Sequence, residues 1–383
     1  MNVLILHNRY RGPGGEERSV AEIATLLRAR GHAVEVLERD SAELTGASGQ
    51  LRAAAGMLAG GLAPGEVAAA VRRTGAEIVH AHNVYPLWGS RALAAARRAG
   101  AAVVMHLHNY RLFCSIGIQY RDGAICTLCR GRNMLPGVRH RCRGNLPEAA
   151  IYGAGQWRQQ PQILEAVGRF VAPSAFAADR LGELGLQRDR ISVAHNFLPA
   201  GQFAAAPPVG GPEYGLYAGR LVGEKGIDTA VEAAAHAGVP LAIAGTGPEA
   251  EPLEALARST GAPVRFLGLL EPAEVRAALA RAAFVVAPSR WDEACPYSVI
   301  EAMAAGVPVL ASTRGGLPEM VGEEHTLPDR DSGAWAQAMR ALWDDPDLRR
   351  ARGRESLERA RDLFGPERFY AALMDAYTAA GAR

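Results

Sequence analysis

Lysine is almost absent from this chain. Of its 42 basic residues one is lysine, Lys225, and the rest are arginine. The arginine excess reads as coding bias rather than function, and it leaves a single ammonium group. Charge of one sign is also lacking: the formal net charge of +2 gives no reason to expect a nucleic-acid partner. There is no long apolar run. Residues 51–71 are rich in Ala and Gly and are interrupted by Arg52, Pro64 and Glu66, so they are not expected to span a membrane. The opening stretch, 2–6, has neither a charged start nor a cleavage site and is expected to be a strand, not a signal peptide. A cytoplasmic location follows as the expectation, with peripheral contact at the inner face of a membrane. The glycines at 12, 14 and 15 lack the spacing of the dinucleotide fingerprint. What is present is length: 383 residues suffice for two Rossmann-sized domains with cores of their own.

Apolar runs and turn residues lay out an alternating α/β chain. Residues 3–6 read as a strand, 17–30 as a helix with Val20, Ile23, Ala24 and Leu27 on one face, and 34–37 as the next strand. Residues 40–75 look helical but poorly patterned. The run 78–80 is a short buried strand, followed by His82. The run 101–105 is another and delivers His106, Leu107, His108 and Asn109 at its carboxyl end. His106 and His108 are read as alternating, so that one faces the site and the other, His106, is a hydrogen-bonded core residue; His80 and His82 are read as structural or acceptor-side. Residues 170–174 are a strand and a helix cap. The segment 199–212, rich in Pro, Gly and Ala, is expected to be a hinge between domains. Strands at 214–218, 241–244 and 264–267 follow, each ending in glycine-containing turns.

The stretch 284–319 is the most informative. It reads as strand, loop, helix closed by Gly306, strand and glycine loop. In parallel sheets ligands bind outside the carboxyl ends of strands, against helix N-termini. Glu293 on the loop and Glu301 in the helix, seven residues apart, are hydrogen-bond acceptors suited to sugar or ribose hydroxyls. Arg220 and Lys225 sit beyond the strand 214–218, where two fixed cations suit a diphosphate, Arg as a fork and Lys as a point charge.

These motifs resemble those of family-four retaining glycosyltransferases. The match lies in E-A-C-P-Y-S-V-I-E with G-G-L-P-E, in G-R-x4-K-G at 219–226, in the G-x-G-P turn at 245–248, and in His108-Asn109-Tyr110. The resemblance implies the GT-B fold, two Rossmann-like domains facing across a cleft. Residues 1–197 would form the acceptor-side domain, 198–365 the donor domain, and 366–383 a helix crossing back to the first. It implies that Glu293 contacts the donor sugar, Glu301 the ribose, and Arg220 and Lys225 the diphosphate. Ala294, Cys295, Pro296, Tyr297 and Ser298 would line the donor site, with backbone amides beside them assisting, and Gly245 and Leu267 would lie near the nucleotide. Gly14 and Gly15 would close on the donor from the first domain, and His108 would lie beside the transferred sugar. The substrate implied is a nucleoside diphosphate sugar, with no protein nucleophile and no cofactor or catalytic divalent ion. Acceptors consistent with this are a glycan, a lipid-linked intermediate or a small molecule, in surface polysaccharide assembly first and secondary-metabolite glycosylation second. A nucleotide-sugar epimerase and a non-catalytic nucleotide-sugar binding protein are the rival classes. The D-x-D spellings at 329–331 and 345–347 are read as helix caps, not metal sites.

One loop, 110–145, stands outside these motifs. Cys114, Cys126, Cys129 and Cys142 run C-x11-C-x2-C-x12-C. Four thiolates complete a structural zinc tetrahedron, with His140 able to replace one; free thiols are the alternative. Arg130, Arg132, Arg139, Arg141 and Arg143 make the same loop strongly basic, suited either to anionic headgroups or simply to water.

Overall fold

A strand without a polar face must be covered on both sides, and the covers here are helices. In the computed structural model, Arg11, Pro13, Val209 and Arg383 lie outside the described residues; all other positions are described. The chain divides into two compact units. The first comprises residues 1–119, 126–195 and 369–383, and the second residues 120–125 and 196–368.

In chain order the strands begin with β1 (Asn2–Arg9), β2 (Ala33–Asp40), β3 (Ile78–Ala81) and β4 (Ala102–His106). The hairpin strands β5 (Tyr120–Arg121) and β6 (Ala124–Ile125) follow, then β7 (Arg169–Ala172) and β8 (Ile191–Val193). The first unit holds a parallel sheet ordered β2-β1-β3-β4-β7-β8. Ser174, expected to cap a helix, does so: its side chain accepts the Ala177 amide. The helix Leu146–Ala166 was not foreshadowed by any apolar stripe. Its buried face mixes Ala149, Tyr152, Ile163 and Ala166 with Gln156, Gln159 and Gln160, which bond a serine hydroxyl and backbone carbonyls. Among the described residues no single helix is long and apolar enough to cross a membrane. Gly46–Ala59 and Pro64–Thr74, which share the apolar stretch, are bent 73° apart.

The second unit carries β9 (Tyr214–Ala218), β10 (Leu241–Ala244), β11 (Val264–Gly268), β12 (Ala282–Ala287), β13 (Val309–Ser312) and β14 (Thr326–Leu327), parallel and ordered β11-β10-β9-β12-β13-β14. Alternate side chains of each strand feed opposite cores. Ala242, Ala244 and Val285 enter one; Leu241, Ile243, Phe284 and Val286 enter the other. Each buried Val, Leu, Ile or Phe among these contributes roughly 1.5–3 kcal/mol, which holds the strand ends, and the loops on them, in register.

The expected boundaries shift a little. The units change at 195/196 and 368/369 rather than at 197/198 and 365/366, and the hairpin 120–125, assigned from sequence to the first domain, goes with the second. Arg330 donates to the Gly123 carbonyl at 2.7 Å. The final helix, Pro366–Ala379, buries Phe369, Leu373 and Tyr377. Both D-x-D spellings serve as caps: Asp331 accepts the Ala334 amide, and Asp345 those of Asp347 and Leu348.

Candidate functional site

In each sheet the strand order reverses beside its first strand, at β1/β3 in the first unit and β9/β12 in the second. Such a switch point is where the loops diverge and leave a crevice. In the second unit the loop after β9 carries Arg220 and Lys225, and the loop after β12 carries Glu293. The Lys225 ammonium stands 2.5 Å from Glu293 Oε1, with the two side chains 16% and 6% exposed. The Ser289 hydroxyl donates to the same oxygen at 2.6 Å, and Trp291 places its ring 5.4 Å from the ammonium. Arg220 is the freer cation, 63% exposed and 3.7 Å from Glu224. Expected as two cations awaiting a diphosphate, they therefore differ: Arg220 faces solvent, while Lys225 already holds a carboxylate.

Backbone geometry fixes this cluster. Gly315 has φ +61, and a Cβ there would lie 2.3 Å from the Glu293 carbonyl oxygen; the next amide, Gly316, donates to that oxygen at 2.7 Å. Gly245, φ +139, packs so closely that a Cβ would lie 1.8 Å from the Gly219 carbonyl. It thereby locks the turn after β10 to the start of the Arg220 loop. Ala294, Cys295 and Tyr297 are buried, while Pro296, the N-cap of the helix Tyr297–Ala304, and Ser298 are half-buried. Burial pushes the Cys295 thiol well up, so it is not a nucleophile at neutral pH. Glu301 and Leu267 are half-buried. Sequence reasoning missed Ser289 and Asn196, whose amide donates to the Cys295 carbonyl at 2.7 Å.

In the first unit the carboxyl ends of β1, β3 and β4 converge on histidines. The expectation that His106 and His108 part company is overturned. Residues two apart in an extended chain share a face, and their rings stack 4.2 Å apart. His82 Nδ1 and His108 Nε2 share a hydrogen bond of 2.8 Å, and His80 Nδ1 pairs with the Tyr377 hydroxyl at 2.9 Å. His106, expected to be hydrogen-bonded, has neither ring nitrogen paired among the described residues. Burial, reinforced by neighbouring rings, drives His80 down to about 3 and His82, His106 and His108 well below the usual range. The cluster is neutral.

Gly14 caps the helix Gly15–Ala29 in extended conformation, and both glycines are exposed. The next two residues do more. Glu16 accepts the Asn83 amide at 2.9 Å and the Tyr10 hydroxyl at 3.0 Å; Glu17 accepts the Tyr10 amide. Burial raises the Glu16 carboxyl and the Tyr10 phenol. Arg111 lies over the Tyr10 ring at 5.0 Å and donates to the Tyr152 hydroxyl. A cavity of about 500 Å³ opens beside these groups, lined by Tyr10, Tyr85, Arg111, Arg143 and Tyr152 over an apolar floor that includes Met57. Arg111 Nε and the Tyr85 hydroxyl are buried and have no partner among the described residues. None of this network was anticipated, although Glu16 and Arg111 adjoin the recognised motifs at 14–15 and 108–110. The four cysteines are half-buried free thiols in the first unit.

Comparison with known proteins bears on both units. A family model described as "Glycosyltransferase Family 4" matches residues 13–200, and one described as "Glycosyl transferases group 1" matches residues 202–359. Glycogen synthase of Mycobacterium tuberculosis is 35% identical over 222 residues, 54% of this chain and 53% of the relative. D-inositol 3-phosphate glycosyltransferase of Streptomyces avermitilis is 29% identical over 335 residues, 79% of this chain and 65% of the relative. The chain thus spans about half to two thirds of the length of these curated relatives. Among solved structures, Anabaena Alr3699/HepE in complex with UDP and glucose superposes with a TM-score of 0.68. It covers 99% of this chain and 100% of its own, at 18% identity, a likeness of fold.

Two consequences can be measured. A histidine with a depressed folded pKa takes up its proton more readily when unfolded. Its contribution to stability is intact above 6.5 and is lost as pH falls through 6.5 toward about 3. Each such histidine removes about 1.4 kcal/mol per pH unit in that window. The thermal midpoint should fall steeply below pH 6.5, and His106→Asn should flatten that slope; an unchanged slope would refute the assignment. In the second unit, Lys225→Met leaves Glu293 charged and nearly buried, at a cost of roughly 3 kcal/mol. Chemical denaturation should show Lys225→Met/Glu293→Gln recovering most of that loss. A double variant as unstable as the single would mean that the pair is not what Lys225 stabilises.

Proposed function

The chain belongs to the family 4, group 1 glycosyltransferases, and on that premise we propose that it transfers a sugar from a nucleoside diphosphate sugar to an acceptor hydroxyl with retention of configuration. One observation carries the reading: Lys225 and Glu293 pair at the switch point of the second sheet, on the loops after β9 and β12, and the exposed Arg220 stands on the same loop as Lys225. The bond from the sugar's anomeric carbon to the diphosphate breaks, and the acceptor oxygen bonds to that carbon on the same face. The acceptor's proton passes to a donor phosphate oxygen. Arg220 and Lys225 stabilise the charge left on the diphosphate, the term usually largest in such reactions. Glu293 orients the sugar and Glu301 the ribose. His108, whose charged form is disfavoured by burial and then by neighbouring rings, can position the sugar without opposing the positive charge that develops on its ring. The HepE neighbour was solved with UDP and glucose, which makes uridine donors the first to try.

The acceptor is assigned to the first-unit cavity. Two arginines and an unpaired tyrosine hydroxyl above an apolar floor suit a polyol or glycan bearing an anionic group, free or lipid-linked. A phosphorylated polyol appears in the name of the Streptomyces relative. Exposed Leu128, Leu135, Leu146 and Trp157 lie in or near the arginine-rich loop, which favours surface polysaccharide assembly with peripheral contact at a membrane.

A thermal-shift panel of nucleoside diphosphate sugars should show stabilisation by one donor class. Arg220→Ala and Lys225→Ala should each lower kcat by about 10²–10³, and EDTA should leave turnover unchanged. Turnover lost to EDTA and restored by magnesium would remove the metal-free mechanism; a folded chain shifted by no donor would favour the non-catalytic class. Arg143→Ala should raise the acceptor KM by about 10- to 100-fold, the worth of one charged hydrogen bond, with the donor KM unmoved. An unmoved acceptor KM would place the acceptor elsewhere.

A further inference from the structure

The segment from Cys114 to Cys142 has little regular structure. Its regular structure is two strands of two residues each and one five-residue helix, Leu135–Arg139. Loops of such length inside a compact domain need a tether. The backbone instead folds the four cysteines toward one residue, Gly137. Cys114 starts a turn that closes back on itself, its amide donating to the Tyr110 carbonyl and its carbonyl accepting the Gly117 amide. The chain leaves at Gln119, makes the hairpin, and returns at Cys126, whose amide donates to the Gln119 carbonyl at 2.7 Å. Gly137 then receives the other two. Its amide donates to the Cys129 sulfur, and its carbonyl accepts the Cys142 amide at 3.0 Å. A Cβ on Gly137 would lie 3.6 Å from Cys129 Sγ and 3.0 Å from the hydroxyl of Ser115, the neighbour of Cys114. The first distance is an ordinary contact and the second a tight one, so Gly137 packs directly between the two cysteine-bearing turns. Cys114, Cys126 and Cys142 are all near enough to Cys129 for charge on any of them to act on it.

We propose that Cys114, Cys126, Cys129 and Cys142 bind one zinc ion, or a soft divalent metal of like geometry, as a structural centre that ties the loop around Gly137. Four sulfurs and a Cys-x2-Cys pair suit a closed tetrahedral site with no open position. An amide donating to a ligand sulfur is the kind of outer contact that orients such centres. The centre carries two negative charges, and the loop supplies Arg130, Arg132, Arg139, Arg141 and Arg143 around it. Binding draws the sulfurs inward. Among the described residues, the groups whose ligand atoms all lie within 4.8 Å of one another are His80–His82–His106 and Glu324–His325–Glu355. The histidine trio is the rival location, and the test separates the two.

The full chain, purified without a metal-affinity tag, should contain about one zinc per chain by elemental analysis. Its four loop thiols should be shielded from a thiol reagent until a chelator is added. Cys129→Ser should lose most of the metal, and His106→Asn should keep it. Should Cys129→Ser fail to fold, the cobalt-substituted wild type still decides: sulfur-to-metal charge-transfer bands and intense tetrahedral ligand-field bands are expected. A cobalt spectrum without sulfur ligation, metal lost with His106→Asn alone, or a folded, zinc-treated chain whose thiols all react at once without chelator would each overturn the proposal.

Discussion

The ion pair of Lys225 and Glu293 is the contact on which the second unit's loops depend. A carboxylate only 6% exposed needs partners where it sits, and it has an ammonium at 2.5 Å and a serine hydroxyl on the same oxygen. Much of the second unit's loop geometry follows from keeping these two groups together. Gly315 lets the backbone after β13 press against Glu293, and Gly245 lets the turn after β10 press against the loop that carries Lys225. The pair also sets a condition on any anion that binds. An ammonium has three donors, so Lys225 can keep Glu293 and reach a phosphate oxygen as well. The donor's arrival then adds a partner to the cluster without stranding its acid.

The first unit solves the opposite problem. His82, His106 and His108 gather beyond the ends of β3 and β4, where burial and neighbouring rings push their pKa values well down. Beside them Arg111 keeps its charge through Tyr10, Tyr152 and Glu16. The chain therefore presents neutral imidazoles in one place and fixed cations in others.

Most of the second unit could be read from the chain alone. β9 and β10 have the bounds their apolar runs suggest, as has the helix Pro366–Ala379 with its buried Phe369, Leu373 and Tyr377. The two D-x-D caps were legible because cap chemistry is local. The misses have a common cause. The helix Leu146–Ala166 buries glutamines among its apolar residues, and such a face is invisible until its carbonyl partners are known. His106 was misassigned by neglecting that period-two spacing keeps residues on one face. The hairpin 120–125 pairs two residues on each side, too short for any periodic signal.

The difference between donor and acceptor recognition has the same physical root. Parallel strands deliver their loops to one edge, so a donor site can be built from short continuous segments, each legible as a motif: 219–226, 245–248, 293–301. The first-unit cavity draws Tyr10, Tyr85, Arg111, Arg143 and Tyr152 from five separate places in the chain. Each taken singly is an unremarkable tyrosine or arginine in a chain that holds ten tyrosines. What marks them is convergence, two buried polar atoms left without partners where the chain folds back on itself. Convergence is a property of the fold, so this cavity becomes visible only once side chains are placed, whereas the loop that carries Lys225 is already legible as the continuous motif 219–226.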